Sequence, residues 1–309
     1  MKSGVIVLLS LCLAGWFGAA HADNNAAPAA SAQAGAAKRG TLYRVRHHGN
    51  TAYLFGTIHV GKPAFFPLED EVTGALARAG KLVLEIDIRK PEPFQAALSK
   101  HAFYPVGESV EHHLSPGVLV QLKRALDVAG LAFEDVRHMK PWLLANMLVG
   151  LDLERNGYER SHGIETFLLS LADKQAKDVR ELESAEYQMS LFDGMPDAVQ
   201  EQYLRENLDE LGDGNALKKA QALIDAWATA NNDAVEAFMR ASLLEKSASS
   251  EFTQRVLLDK RNPEMATKIE ELLRDDETTF VGVGLLHMVG ETGVPTLLRR
   301  RGYEVEKLY

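Results

Sequence analysis

The chain has 309 residues, 46% apolar and 25% charged, the mixture of a folded globular protein rather than a disordered or fibrous one. Its 34 Lys and Arg stand against 43 Asp and Glu, a net charge of −9, which is the wrong sign for nucleic acid or an anionic membrane surface as main partner. The length suffices for one large domain with a substantial core, or for two small ones.

In chain order, Lys2, the apolar run Val5 to Ala20 and the small-x-small Ala20-His21-Ala22 read as a secretory signal peptide over residues 1–22. The run is shorter than the roughly 20 residues a membrane span needs, so no stable anchor is expected after cleavage. A periplasmic or secreted location follows. Cleavage also removes Cys12, the one cysteine, and with it any disulfide, thiolate nucleophile or sulfur-rich metal site. Residues 23–39 are Ala-rich without apolar periodicity and read as a flexible linker into a domain over 40–309.

Residues 41–46 and 51–55 read as strands joined around His48-Gly49-Asn50, a hairpin signal. Pro67 to Ala79 reads as a helix stopped by Gly80, and Lys81 to Asp87 as a buried strand. Helices are expected over 115–129, 141–156, 163–175, 196–210, 215–230, 232–245, 249–259 and 263–274, with Pro196 and Pro263 in first turns. Residues 179–183 form a possible strand between them. The stretch from about 186 to 275 reads as an inserted helical lobe. Strand 279–283, helix 291–301 and strand 303–308 close the chain. The fold class is therefore α/β: two β/α half-units around a central mixed sheet, each carrying a Gly-x-x-His at a strand end.

Those two motifs are Gly56-Thr-Ile-His59 and Gly284-Leu-Leu-His287. With 24 Gly and 10 His, about one such match is expected by chance, so it is the matched strand-end context that gives them weight. Open α/β sheets place ligands at strand ends, and Gly leaves room there for the backbone to turn. The third candidate is an acid, Glu85, in the apolar run Leu82-Val-Leu-Glu-Ile, where a buried carboxylate needs a partner. Two imidazoles and one carboxylate without sulfur suit Zn, Mn, Co or Fe(II). The bland alternative for each is a satisfied core or surface residue. His47, His48, His101, His112, His113 and His138 take that bland reading. A nucleophile elbow, a His-Glu-x-x-His, a P-loop and a dinucleotide fingerprint are all absent from the sequence.

Taken together, Tyr53-Leu-Phe-Gly-Thr-Ile-His59, Leu82-Val-Leu-Glu85 and Phe280-Val-Gly-Val-Gly-Leu-Leu-His287 resemble the TraB/PrgY/GumN family. Gly163-Ile-Glu-Thr, Leu182-Glu-Ser184 and Arg261-Asn262 with Met265-Ala266 are similar to further family segments, although Glu165 stands where the family usually has Asp. The resemblance implies kinship with erythromycin-esterase-like, ChaN-like and TIKI proteins, the last being metal-dependent proteases. It implies a divalent metal ion (Mn, Co or Zn) held by His59, Glu85 and His287. Arg261 is then a candidate for a substrate carboxylate or an oxyanion, and Glu183 for a general base or further ligand. Glu165 is a third catalytic candidate, although an acid also suits a helix N-terminus for dipole reasons alone. Asn262 reads equally as a helix cap or a site residue.

Three functions stay open on this reading. The first is a metal-dependent, peptidase-like hydrolase acting on an extracytoplasmic peptide or protein. The second is a peptide-sequestering protein on the same scaffold, and the third is a haem-binding protein.

Overall fold

Alternating apolar residues after Gly40 make the first hairpin, β1 (Leu42–His47) and β2 (Asn50–Thr57). The two-residue turn His48-Gly49 has positive φ at both positions, 49° and 91°, the geometry whose twist matches paired strands. The computed structural model describes residues 37–275 and 277–309. The expected signal peptide, Cys12 and most of the linker lie outside the described residues.

Six strands form one mixed sheet in the order β4-β3-β5-β2-β1-β6. The others are β3 (Lys81–Leu84), β4 (Asp178–Glu181), β5 (Thr279–Gly284) and β6 (Glu304–Lys307). The neighbours β4, β3, β5 and β2 run parallel, while β1 pairs antiparallel with both β2 and β6. β3 and β5 are buried along their whole length, as expected for parallel strands covered on both faces. The edge strands β4 and β6 carry Asp178, Arg180, Glu181, Glu304 and Glu306, charges that discourage further strand pairing.

The helices are α1 (Asp70–Arg78), α2 (Pro91–His101), α3 (Pro116–Ala129), α4 (Phe133–Val136), α5 (Pro141–Arg155), α6 (Ile164–Lys174) and α7 (Ala185–Asp193). They continue with α8 (Asp197–Asp213), α9 (Asn215–Ala228), α10 (Asn232–Leu244), α11 (Ala248–Phe252), α12 (Arg261–Leu272) and α13 (Val294–Arg300). On one face of the sheet, Phe55, Leu82, Leu84 and Phe280 pack with Leu76 of α1, Leu168 of α6 and Trp227 of α9. On the other, Leu54, Val83, Val281 and Val283 pack with Met265 and Ile269 of α12 and Leu298 of α13. A separate core joins α2, α3, α5, α7 and α8 around Trp142, Phe192, Tyr203 and Phe252. Among the described residues no helix is long and apolar enough to cross a membrane.

Two expectations need correction, one helix was missed and one echo is inexact. The strand placed over 81–87 ends at Leu84, so Glu85 lies just past a strand end and not inside one. Helix α2 was not anticipated. The two helices expected over 249–259 and 263–274 are one continuous rod: α11 passes through a π-helical stretch, Thr253–Lys260, straight into α12. Pro263 would crowd the carbonyl four residues before it in a regular α-helix. The widened turns immediately upstream give it room, so it does not mark a new start. The echo between the Gly-x-x-His segments is also inexact. In the β2–β5 register Gly56 faces Val283 and Thr57 faces Gly284, one residue out of step.

Candidate functional site

All four parallel strands deliver a polar side chain just beyond their C-terminal ends. In sheet order these are Glu183 after β4, Glu85 after β3, His287 after β5 and His59 after β2. This is the edge where open α/β sheets hold ligands. Backbone bonds carry the pairing past the strands into the site: Glu183 N–H donates to the Glu85 carbonyl at 2.8 Å.

Glu85 is gripped from three sides. Its Oε1 accepts from the Gly284 N–H at 2.7 Å, and its Oε2 accepts from Arg261 Nη2 at 2.5 Å and from Gln188 Nε2 at 3.0 Å. Burial raises the pKa of this carboxyl, but the Arg261 guanidinium and the two imidazoles outweigh burial and hold it down at about 2. Glu183 takes Arg261 Nε at 3.0 Å and Nη2 at 2.6 Å, on separate oxygens, and Gln188 Nε2 at 2.8 Å. Arg261, the first residue of α12, is fully buried, and its Nη1 finds no hydrogen-bond partner among the described residues.

Each histidine is oriented through Nδ1. Asn262 Nδ2 donates to the Thr292 carbonyl at 2.8 Å, which turns its Oδ1 toward His287 Nδ1 at 2.5 Å. His287 is then protonated on Nδ1, and its Nε2 lone pair lies 3.8 Å from Glu85 Oε1. Burial first, and Arg261 second, push its pKa down to about 3, so the ring is neutral. His59 Nδ1 lies 2.8 Å from Glu165 Oε1. Burial raises the Glu165 pKa, but His59 pulls it below the ordinary value. Their contact depends on Gly163: a Cβ there would come within 2.6 Å of the His59 carbonyl oxygen. Without that Cβ, Ile164 N–H can donate to the Ile58 carbonyl and dock the start of α6 on the β2 end.

The seven residues singled out in the sequence thus fall in one buried region, with His59 felt electrostatically by both Glu85 and His287. Three of them gain partners. Glu183 pairs with Arg261 through both of its oxygens, a contact that the sequence reading did not include. Glu165 does more than favour a helix start, because it holds the His59 ring. Asn262 is not a cap but the partner of His287. The sequence reading missed Gln188. On α7 it occupies the core-facing series Ala185, Gln188, Met189, Phe192, and an amide on that face was the available signal.

As placed, no three His, Cys, Asp or Glu side chains among the described residues form a group that could hold a metal ion. The donor chemistry nevertheless fits one. A neutral imidazole and an ionised carboxylate turn electron pairs toward each other, and both histidines have the outer partners typical of metal-bound imidazoles. The remaining histidines keep ordinary roles: His101 bonds Asp193 at 3.0 Å, and His112 and His113 both bond Glu108.

An α/β sheet with histidines, acids and one arginine gathered at its parallel strand ends defines the class of protein. The chain belongs to the TraB/PrgY/gumN family, whose sequence profile matches residues 41–307. Uncharacterized protein YbaP of Escherichia coli (strain K12) is 27% identical over 251 residues, covering 80% of this chain and 87% of that protein. Metalloprotease TIKI1 of Homo sapiens is 23% identical over 303 residues, with 82% of this chain and 59% of that protein covered. The Metalloprotease TIKI homolog of Amphimedon queenslandica is 25% identical over 354 residues, covering 98% of this chain and 66% of that protein. No solved structure gives a significant match.

Proposed function

We propose that this protein is a metal-dependent, peptidase-like hydrolase acting outside the cytoplasm on a peptide or protein. One observation carries the reading: His287 Nε2 and Glu85 Oε1 face each other 3.8 Å apart in a buried site with no proton to share. Two ligands bonded to one tetrahedral ion at about 2.0–2.1 Å each stand roughly 3.3–3.4 Å apart, so closing this pair by about half an ångström lets it share an ion. The relatives named as TIKI metalloproteases support the reaction class.

A divalent ion (Mn, Co or Zn) at Glu85, His287 and His59 would polarise a scissile carbonyl and acidify a bound water. The chain's own groups prepare for that chemistry. Asn262 and Glu165 fix the two rings. Glu85 and Glu183 fix Arg261 and occupy Nε and Nη2, which closes the two-pronged grip a substrate carboxylate would need. Nη1 keeps its donors for a single oxygen, the carbonyl of the substrate and the oxyanion formed from it.

A second reading, peptide binding without turnover, is favoured by the lack of a three-ligand group among the described residues. Metal analysis of the purified protein, with digestion of a peptide library before and after chelation, separates the two. The hydrolase reading expects cleavage that is lost on chelation and restored by Mn, Co or Zn. Protein that binds no divalent ion and cuts nothing, yet carries a co-purified peptide, supports the second.

A further inference from the structure

Among the described residues, Gln188 is the uncharged side chain that bridges the two acids of the site. It is 3% exposed and projects from the first turns of α7, which Ser184 caps by accepting the Tyr187 N–H. Its Nε2 donates to Glu85 Oε2 at 3.0 Å and to Glu183 Oε2 at 2.8 Å. Arg261 Nη2 donates to those same two oxygens. Two carboxylate oxygens and two NH2 groups therefore close a four-membered ring of alternating acceptors and donors.

The ring fixes which way Glu85 points. With Oε2 committed to two donors, Oε1 is left to the Gly284 N–H and to the side facing His287 Nε2. An amide does this at zero charge. An ammonium or a second guanidinium in its place would supply donors but also repel a cation arriving at Oε1. A carboxylate would supply no donors and repel both acids. Glutamine meets both demands at this chain length: two N–H groups and no charge.

We propose that Gln188 is a positioning residue, which locks Glu85 so that one of its oxygens is reserved for a divalent cation. The inference rests on the metal-site reading above and assigns Gln188 no contact with substrate.

The test is cation binding by the full chain, measured by calorimetry with Mn2+ and by the visible absorption of Co2+. Gln188→Met, neutral and similar in shape, should bind Mn2+ roughly 10- to 100-fold more weakly, the usual cost of losing a group that orients a metal ligand. Its Co2+ spectrum should shift, because Glu85 is free to turn. Gln188→Lys keeps donors at the ring and so guards against a Met variant that fails to fold. It should melt near wild type yet bind Mn2+ at least 10-fold more weakly, now through charge. Either variant binding as wild type with an unaltered Co2+ spectrum overturns the role of Gln188 and leaves the metal site standing. Wild-type protein that binds neither ion overturns both.

Discussion

At the C-terminal ends of β3 and β4 the molecule buries charge, whereas among α5, α7 and α11 it buries aromatic rings. The first region holds Glu85, Glu183 and Arg261 almost without solvent contact, the acids held by Arg261 and Gln188 and the arginine held by the acids through Nε and Nη2. The second holds Trp142 against Phe192 at a centroid distance of 5.2 Å and Phe252 against Phe192 at 4.9 Å. Burying ions costs desolvation that their attraction barely returns, while burying rings stabilises outright. The helical layer supplies stability that the strand ends consume, and that is the usual economy of a functional site.

Substitutions can break this contrast. The largest effect is expected from Arg261→Met, which strands two carboxylates in the interior and should cost about 5 kcal/mol in urea unfolding, the upper end for breaking a buried pair. If it unfolds no more easily than wild type, the acids are not ionised as described. Phe192→Ala removes a ring at the centre of the helical core and should cost about 4 kcal/mol. Phe192 lies on α7 four residues after Gln188, so this variant tests how separate the regions are: folded Phe192→Ala protein should keep wild-type affinity for Mn2+, and a matching loss of affinity would join them into one.

The smallest effect concerns pH. Burial holds the Asp152 carboxyl on α5 above its usual 3.8, with Arg155 pulling the other way. The folded chain therefore keeps this proton longer than the unfolded one. Its contribution is full below the unfolded pKa and is lost as pH rises through the folded pKa. Asp152→Asn should match wild type near pH 3 and exceed it at pH 7 by about 0.3 kcal/mol, within the range of partly exposed positions. An equal gain at both pH values would assign the effect to something other than ionisation.

Much of this was legible in the sequence because strands and strand ends have strong local signatures. The runs Ala52 to Phe55 and Phe280 to Val283 are apolar enough to require burial on both faces, and the Gly-x-x-His segments follow them directly. Glu85 was found through the cost of burying an acid, although its strand stops at Leu84, three residues before the end expected at Asp87. What could not be read was pairing across the chain. Gln188 meets Glu85 from 103 positions away, and Asn262 meets His287 from 25. No local period encodes such contacts. Pro263 misled for the opposite reason: its local rule is strong, but the wider winding before it removes the clash on which the rule rests.

That wider winding over Thr253–Lys260 has a consequence for how the chain tolerates change. A π-helical turn holds an extra residue, so deleting one position between 253 and 260 lets the rod tighten to ordinary pitch while Arg261 and everything after it keep their angular setting. The stretch is a phase adjuster between α11 and α12, absorbing a change of length where a regular helix would swing Arg261 out of line.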